Sequence, residues 1–177
     1  AAAAAVGFDG LVYLCRDHGG PWQRDEERAA GLPDVGQLRD DLEILAAHHR
    51  PVGSQGEADA VRYLRDRFEE MGYSVTLQPY TDGQGRTGHN VAAVKAASVP
   101  DADILVLSAH HDSVPTAYGA NDNASGVAAL LYTAEALRNV PTDTEVRFLS
   151  FTDEENGKNG SRTYTASLTE EERTRIV

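Results

Sequence analysis

Two short stretches of the chain concentrate the residue types that bind metals and move protons. The first, AHHDSVPTAYGANDNASG (Ala109–Gly126), follows the apolar run Ile104–Ala109 and holds His110, Asp112 and Asp122. The second follows the alternating run Glu145–Phe151 and holds Asp153, Glu154 and Glu155. A turn is served by Gly, Pro and Asn and has no need of His and acids at this density. Metal binding explains the grouping. Zinc takes a neutral imidazole and carboxylates at roughly 2 Å, and bridging carboxylates favour two ions roughly 3.5 to 4 Å apart. Asp112, two residues after His110, is placed to accept the proton of the imidazole's other nitrogen and orient the ring. In extended backbone neighbouring side chains point opposite ways. One of Glu154 and Glu155 can then ligate while the other takes a proton from water.

Bland readings compete with each element. An H-x-D triplet alone is a weak signal, and aspartates in loops most often only make turns. Asn121–Gly126 superficially fits a calcium loop, but with Asn121 as position 1, position 12 is Tyr132, where a bidentate Glu is required. His48 and His49 read as surface residues at a helix end, and His89 as structural. The conjunction is what argues for a site: two acidic loops, each after an apolar strand, separated by one amphipathic segment.

The elements that would position these loops follow from periodicity. Leu38, Leu42, Leu45 and Ala46 predict a helix over Gln37–His49. Ala60, Val61, Leu64 and Phe68 share one face of a second, Glu57–Met71, which Gly72 stops. Tyr73–Pro79, His89–Ala96, Asp103–Ala109 and Glu145–Phe151 read as strands, the third of them buried. Val127, Leu130, Leu131, Ala134 and Leu137 stripe a helix over Ala124–Arg138. Ser161 is placed to cap Arg162–Ser167, and Thr169 with Glu172 forms a capping box. Ile176–Val177 reads as the start of another strand. Strands alternating with helices predict an α/β three-layer sandwich with a mixed, largely parallel central sheet. In such sheets sites gather at the carboxyl ends of strands. Residues 1–36 read as an irregular N-terminal extension and 37–177 as the patterned α/β region.

Bulk properties narrow the partners. The 177 residues carry a formal charge of -12, with 41% apolar and 25% charged residues. That balance speaks against nucleic acid, because phosphate binding needs clustered Lys and Arg. No run approaches the roughly 18 to 20 apolar residues of a membrane span. With one cysteine, Cys15, no intrachain disulfide forms. The alanine tract Ala1–Ala5 is compatible with the remnant of an export leader, and the expectation is a secreted or cell-envelope protein.

These motifs together resemble the M28 family of zinc peptidases. RPVGSQGEADAVRYLRDRFEEMGYSV (Arg50–Val75) is similar to the family's R-x-x-G-S opening and first long helix. LSAHHDSV (Leu107–Val114) matches its H-x-D, GANDNASGVAALL (Gly119–Leu131) its G-A-x-D-N-A-S-G, and VRFLSFTDEENGKNGSRTY (Val146–Tyr164) its F-x-x-E-E-x-G-x-x-G-S. The resemblance implies a zinc-exopeptidase-like fold and roles for individual residues. His110 and Glu155 would each ligate one zinc, Asp122 would bridge both ions and Asp112 would orient His110. Glu154 would be the general base for a metal-bridging water. It implies aminopeptidase activity on a peptide with a free N-terminus and two zinc ions in the complete protein. Asp153, Lys158 and Asn159 depart from the usual pattern without removing a ligand. Two further ligands, an Asp on the next strand and a later loop His, find no match. The resemblance implies that residues 37–177 are the N-terminal portion of an M28-like catalytic domain, and that the chain is incomplete at its C-terminus, lacks part of the site, and has the missing portion of the same protein as its partner. A glutaminyl-cyclase-like zinc acyltransferase and a non-catalytic module keeping the fold are the alternatives. The intact G-A-x-D-N-A-S-G run and the retained ligands argue for hydrolysis.

Overall fold

The computed structural model describes residues 33–177. Most of the expected irregular extension, with Ala1–Ala5 and Cys15, lies outside the described residues. Helix α1 spans Val35–Leu45 and so starts before the predicted Gln37, because the Asp34 carboxylate accepts the Gly36 N–H at 2.8 Å and caps it. It stops short of His49 because the Leu45 carbonyl is taken by the Arg50 guanidinium instead of a further helical turn. Helix α2 spans Gln55–Glu70, with Ser54 Oγ accepting the Glu57 N–H at 3.2 Å. Gly72 ends it at φ +86°, where the Tyr73 N–H returns to the Phe68 carbonyl at 3.1 Å.

Strands β1 (Ser74–Thr81) and β2 (Thr87–Lys95) form an antiparallel hairpin. The turn between them is held by Asp82, whose Oδ1 accepts the N–H groups of Gln84 and Arg86, each at 2.8 Å. Then follow β3 (Ile104–His110), α3 (Ser125–Leu137), β4 (Glu145–Phe151), α4 (Asn159–Ser167) and α5 (Glu170–Arg175). The sheet order is β1-β2-β4-β3. It is mixed, as expected, but not largely parallel among the described strands. Only β3 and β4 pair in parallel, and β2 pairs antiparallel with both β1 and β4. The connections explain this. A tight turn can join only antiparallel strands, whereas the passage from β3 through α3 to β4 is a helical crossover.

The α2 helix lies on β1 and β2, and α3 on β3 and β4, with α1 packed on α3. Their apolar stripes meet Val146 and Phe148 of β4 in one core, where Leu64, Phe68, Leu131 and Phe148 are fully buried. Each such side chain contributes about 1.5–3 kcal/mol of burial. The alternate residues of β4 face the other way. Phe151 meets the Tyr164 ring of α4 with centroids 6.0 Å apart, and Arg147 pairs with Glu172 of α5 at 2.8 Å. Helices therefore cover both faces, giving three layers.

Three local expectations meet different outcomes. Ser161 does not cap α4. The helix begins at Asn159 after Lys158 in left-handed backbone, φ +62°, and Ser161 Oγ donates to the Lys158 carbonyl from inside it. Thr169 and Glu172 do form the capping box. Ile176 bridges Ile104 in parallel and the Val177 N–H donates to the Ile104 carbonyl at 3.1 Å, an isolated bridge beside β3 at the two residues read as strand. The β3 strand is less buried than its sequence suggests, with Leu105 38% exposed at the sheet edge. No described helix is long and apolar enough to cross a membrane.

Candidate functional site

The parallel pairing of β3 and β4 brings the two acidic loops together. Their registers end opposite one another, His110 beside Phe151, and the His111 N–H donates to the Phe151 carbonyl at 2.9 Å. Both loops therefore leave the same sheet edge side by side. The first loop returns through the turn Ala120–Ala124, whose backbone is non-helical at Asp122 and Asn123, into α3. The Asp122–Asn123 peptide in that turn is cis. Asn123 Oδ1 accepts the Gly126 N–H at 3.0 Å, which starts α3 and leaves the Asp122 carboxylate outside the helix. Gly119 precedes the turn at φ +59°, and a Cβ there would lie 2.5 Å from the Asp122 carbonyl oxygen and 2.7 Å from Ser113 Cβ. Only glycine fits.

All five residues predicted for the site converge. One ligand atom each from His110, Asp122 and Glu155 lies within 4.8 Å of the others. His110 Nδ1 faces Asp112 Oδ1 at 3.3 Å, and its Nε2 faces Asp122 Oδ1 at 3.0 Å and Glu154 Oε2 at 3.9 Å. Asp112 is fully buried and ties the two loops together. Its Oδ1 accepts the Glu154 N–H at 3.1 Å and its Oδ2 the Glu155 N–H at 3.2 Å. Burial pushes this carboxyl up, but the hydrogen bonds from His110 and the two amides outweigh it and hold it below the usual range. Burial likewise pushes His110 down, but the Asp112 carboxylate, with Glu154 and Asp122, lifts its imidazole to about 9. Burial and the nearby Asp122 and Asp112 charges push Glu155 up. The arrangement is one imidazole among four carboxylates, residue types that serve as ligands for divalent cations.

Glu154 and Glu155 do not alternate as adjacent strand residues would. The chain leaves extended geometry at Asp153, φ +53°, whose buried carboxylate accepts from the Asn156 and Asn159 side chains at 2.6 and 2.7 Å. The turn built on these bonds brings both glutamates toward His110.

Several polar residues behind the site carry no role in the motif reading. His111 is fully buried and its Nδ1 lies 2.9 Å from Ser150 Oγ. Arg50, Ser113, Glu57 and Thr152 are buried with it. The sequence does hold a signal for His111: at a strand end His110 and His111 face opposite ways, so if one meets solvent the other enters the core. Arg50 opens the R-x-x-G-S stretch without a role assigned to it there, and Glu57 has no such mark.

Known proteins place the chain. Curated relatives include the aminopeptidase YwaD of Bacillus subtilis, 42% identical over 143 residues, covering 80% of this chain and 26% of the relative. Another is the probable lipoprotein aminopeptidase LpqL of Mycobacterium tuberculosis, 47% identical over 79 residues, covering 44% of this chain and 15% of the relative. This chain thus spans about a quarter or less of the length of either. Among solved structures, the zinc aminopeptidase BSAP from Bacillus subtilis superposes with a TM-score of 0.75 at 17% identity, covering 80% of this chain and 67% of that one. The glutaminyl cyclase of Macrostomum lignano does so with a TM-score of 0.64 at 27% identity, covering 85% and 50%. The model of peptidase family M28 matches residues 90–177, a span that begins in β2 and takes in both acidic loops. A family match over the loops, a shared fold and an aminopeptidase relative 42% identical lead to the same place: the chain belongs to peptidase family M28.

Proposed function

We propose that the chain carries part of the centre of a zinc-dependent aminopeptidase. In this reading His110, Asp122 and Glu155 hold metal, Asp112 orients His110, and Glu154 is the general base. The observation that supports it most is the convergence of His110, Asp122 and Glu155 on one point, from two loops keyed to the same buried Asp112. One imidazole nitrogen with carboxylate oxygens is a donor set that suits zinc. The likeness to a zinc aminopeptidase favours the same ion. The complete centre would hold two ions, with Asp122 as the ligand shared between them. When bound, zinc polarises a carbonyl and lowers the pKa of a water.

The chain's own residues do the rest. Asp112 accepts the Nδ1–H of His110 and so points the Nε2 lone pair into the site. Among the described residues no backbone N–H donates to the Glu154 carboxylate, which stands 3.9 Å from His110 Nε2 and in this reading takes a proton from water and returns it to the leaving amine. The substrate is a peptide with a free N-terminus, as the name of the Bacillus relative suggests. Its place is outside the cell or at the envelope, as the lipoprotein relative suggests. The likeness to a glutaminyl cyclase supports acyl transfer as a second reading.

Metal analysis of the protein as its gene encodes it is expected to find about two zinc ions per chain. None under zinc-replete conditions overturns the reading. Glu154→Gln is expected to lower hydrolysis of aminoacyl-nitroanilides by about 10²–10⁴-fold while metal content stays. Activity that survives removes Glu154 as the base. Cyclisation of N-terminal glutaminyl peptides without hydrolysis selects the acyltransferase.

A further inference from the structure

The corner between α1 and α2, Arg50-Pro-Val-Gly-Ser-Gln-Gly-Glu57, touches both acidic loops without supplying a ligand. Arg50 is only 1% exposed. Its Nε donates to the His111 carbonyl at 2.7 Å, its Nη1 to the Tyr118 carbonyl at 2.8 Å and its Nη2 to the Gly119 carbonyl at 3.1 Å. Nη1 also reaches the carbonyls of Leu45, at the end of α1, and of His48 just after it. The Arg50 backbone pairs twice with Ser113: its N–H donates to Ser113 Oγ at 2.9 Å, and its carbonyl accepts the Ser113 N–H at 3.1 Å. One guanidinium thus ties the start of the first loop, beside Asp112, to its end, just before the turn that carries Asp122. Its hydrogen-bond partners are carbonyls, so the fork acts as a clamp on geometry more than as an ion pair.

Glu57 serves the second loop in the same way and is 2% exposed. The Thr152 hydroxyl, two residues before Glu154, donates to its Oε1. The Gly53 N–H donates to its Oε2 at 2.6 Å, and Oε1 stands 3.7 Å from His111 Nε2. Burying a guanidinium and a carboxylate is costly unless they are fully hydrogen-bonded. The bonds these two make run from one corner to both loops.

We propose that Arg50 and Glu57 are positioning residues for the metal centre: Arg50 clamps the loop of His110 and Asp122, Glu57 anchors the loop of Glu154 and Glu155, and their shared corner sets the spacing between the two. The inference rests on the reading of His110, Asp122 and Glu155 as ligands. Lys at position 50 keeps the charge but is a point donor that cannot span carbonyls at both ends of a loop. Gln at position 57 keeps the shape but offers one acceptor oxygen where two are in use.

The test is zinc titration into metal-free protein by calorimetry, with melting temperature and hydrogen exchange measured alongside. In Arg50→Lys and Glu57→Gln, zinc affinity is expected to fall about 10–100-fold, as for other residues that orient ligands. In both, kcat falls with KM little changed, because the loss is in the reacting geometry. In Arg50→Lys the Ser113 and Ala124 amides exchange faster while those in the middle of α2 do not. Arg39→Lys, on the exposed face of α1, leaves all of these at wild-type values. A merely structural role lowers the melting temperature and leaves zinc affinity and loop exchange of the folded protein unchanged; that result overturns the proposal. Should Arg50→Lys not fold, Ser113→Ala, which removes the acceptor for the Arg50 N–H along with the hydroxyl's own bonds to the Val114 and Ala117 carbonyls of the same loop, carries the clamp's test with an expected loss of severalfold in zinc affinity. Wild-type zinc affinity in both Ser113→Ala and Glu57→Gln then overturns it. Wild-type protein that takes up no zinc overturns the metal reading instead, and the clamp is judged on exchange at Ser113 and Ala124.

Discussion

Asp112 does the most at the scale of single residues. Its two oxygens receive one imidazole and two backbone amides, so one side chain both orients His110 and joins the loops. Asparagine is nearly isosteric but presents an N–H₂ group where one of these donors needs an acceptor. Asp112→Asn is therefore expected to cost about 1–3 kcal/mol of stability, the range for leaving a buried donor unsatisfied, measured by urea unfolding of metal-free protein. An unfolding free energy equal to wild type means that the carboxylate does not join the loops. His110, Asp122, Glu154 and Glu155 were legible in sequence because their chemistry is rare in ordinary turns. The turn at Asp153 was not, since left-handed backbone at a non-glycine residue is decided by what its carboxylate can bond.

Among the elements, the strand and helix periods were read correctly and their ends were not always. An end is set by whichever group satisfies the terminal backbone donors and acceptors. Where that group is local, as in the Thr169–Glu172 box, sequence shows it. Where it is remote, as with Arg50 at the end of α1, sequence does not. The box carries a pH dependence. The Thr169 N–H above all, helped by Arg147 and opposed by burial, holds the Glu172 carboxyl below its ordinary 4.5. A depressed folded-state pKa means that the stabilisation is complete above the unfolded value and is lost as pH falls through the folded one. Helical ¹³Cα shifts over Glu170–Arg175 are thus expected to decay in acid below about 4.5. Glu172→Gln should flatten that dependence; an unchanged profile would assign the acid transition to another group.

For the whole molecule, a metal held by two loops becomes a staple between them, because binding to the folded state alone adds to stability. Zinc at 100 times its dissociation constant is expected to raise the unfolding free energy by about 2.7 kcal/mol, and a chelator to remove the gain, followed by calorimetry. His110→Ala should abolish the zinc-dependent part. A melting transition indifferent to zinc and chelator would mean that the folded protein holds no metal under those conditions. The charge of -12 does not oppose this, since cations are what an acidic surface attracts.

The sequence by itself determined what is local: the periods of α2, α3 and β4, the stop at Gly72, the box before α5, and the residue types of both acidic loops. Each depends on neighbours a few positions away. Only the tertiary structure decided what is distant. It paired β3 with β4 in parallel, so that Asp112 meets amides 42 and 43 residues on. It made two of the three described strand pairings antiparallel, β1–β2 through a tight turn and β2–β4 between strands that are not consecutive in the chain. It also brought Arg50 to a carbonyl 61 residues away. A buried guanidinium goes where unsatisfied carbonyls collect, and only the packed chain determines where that is.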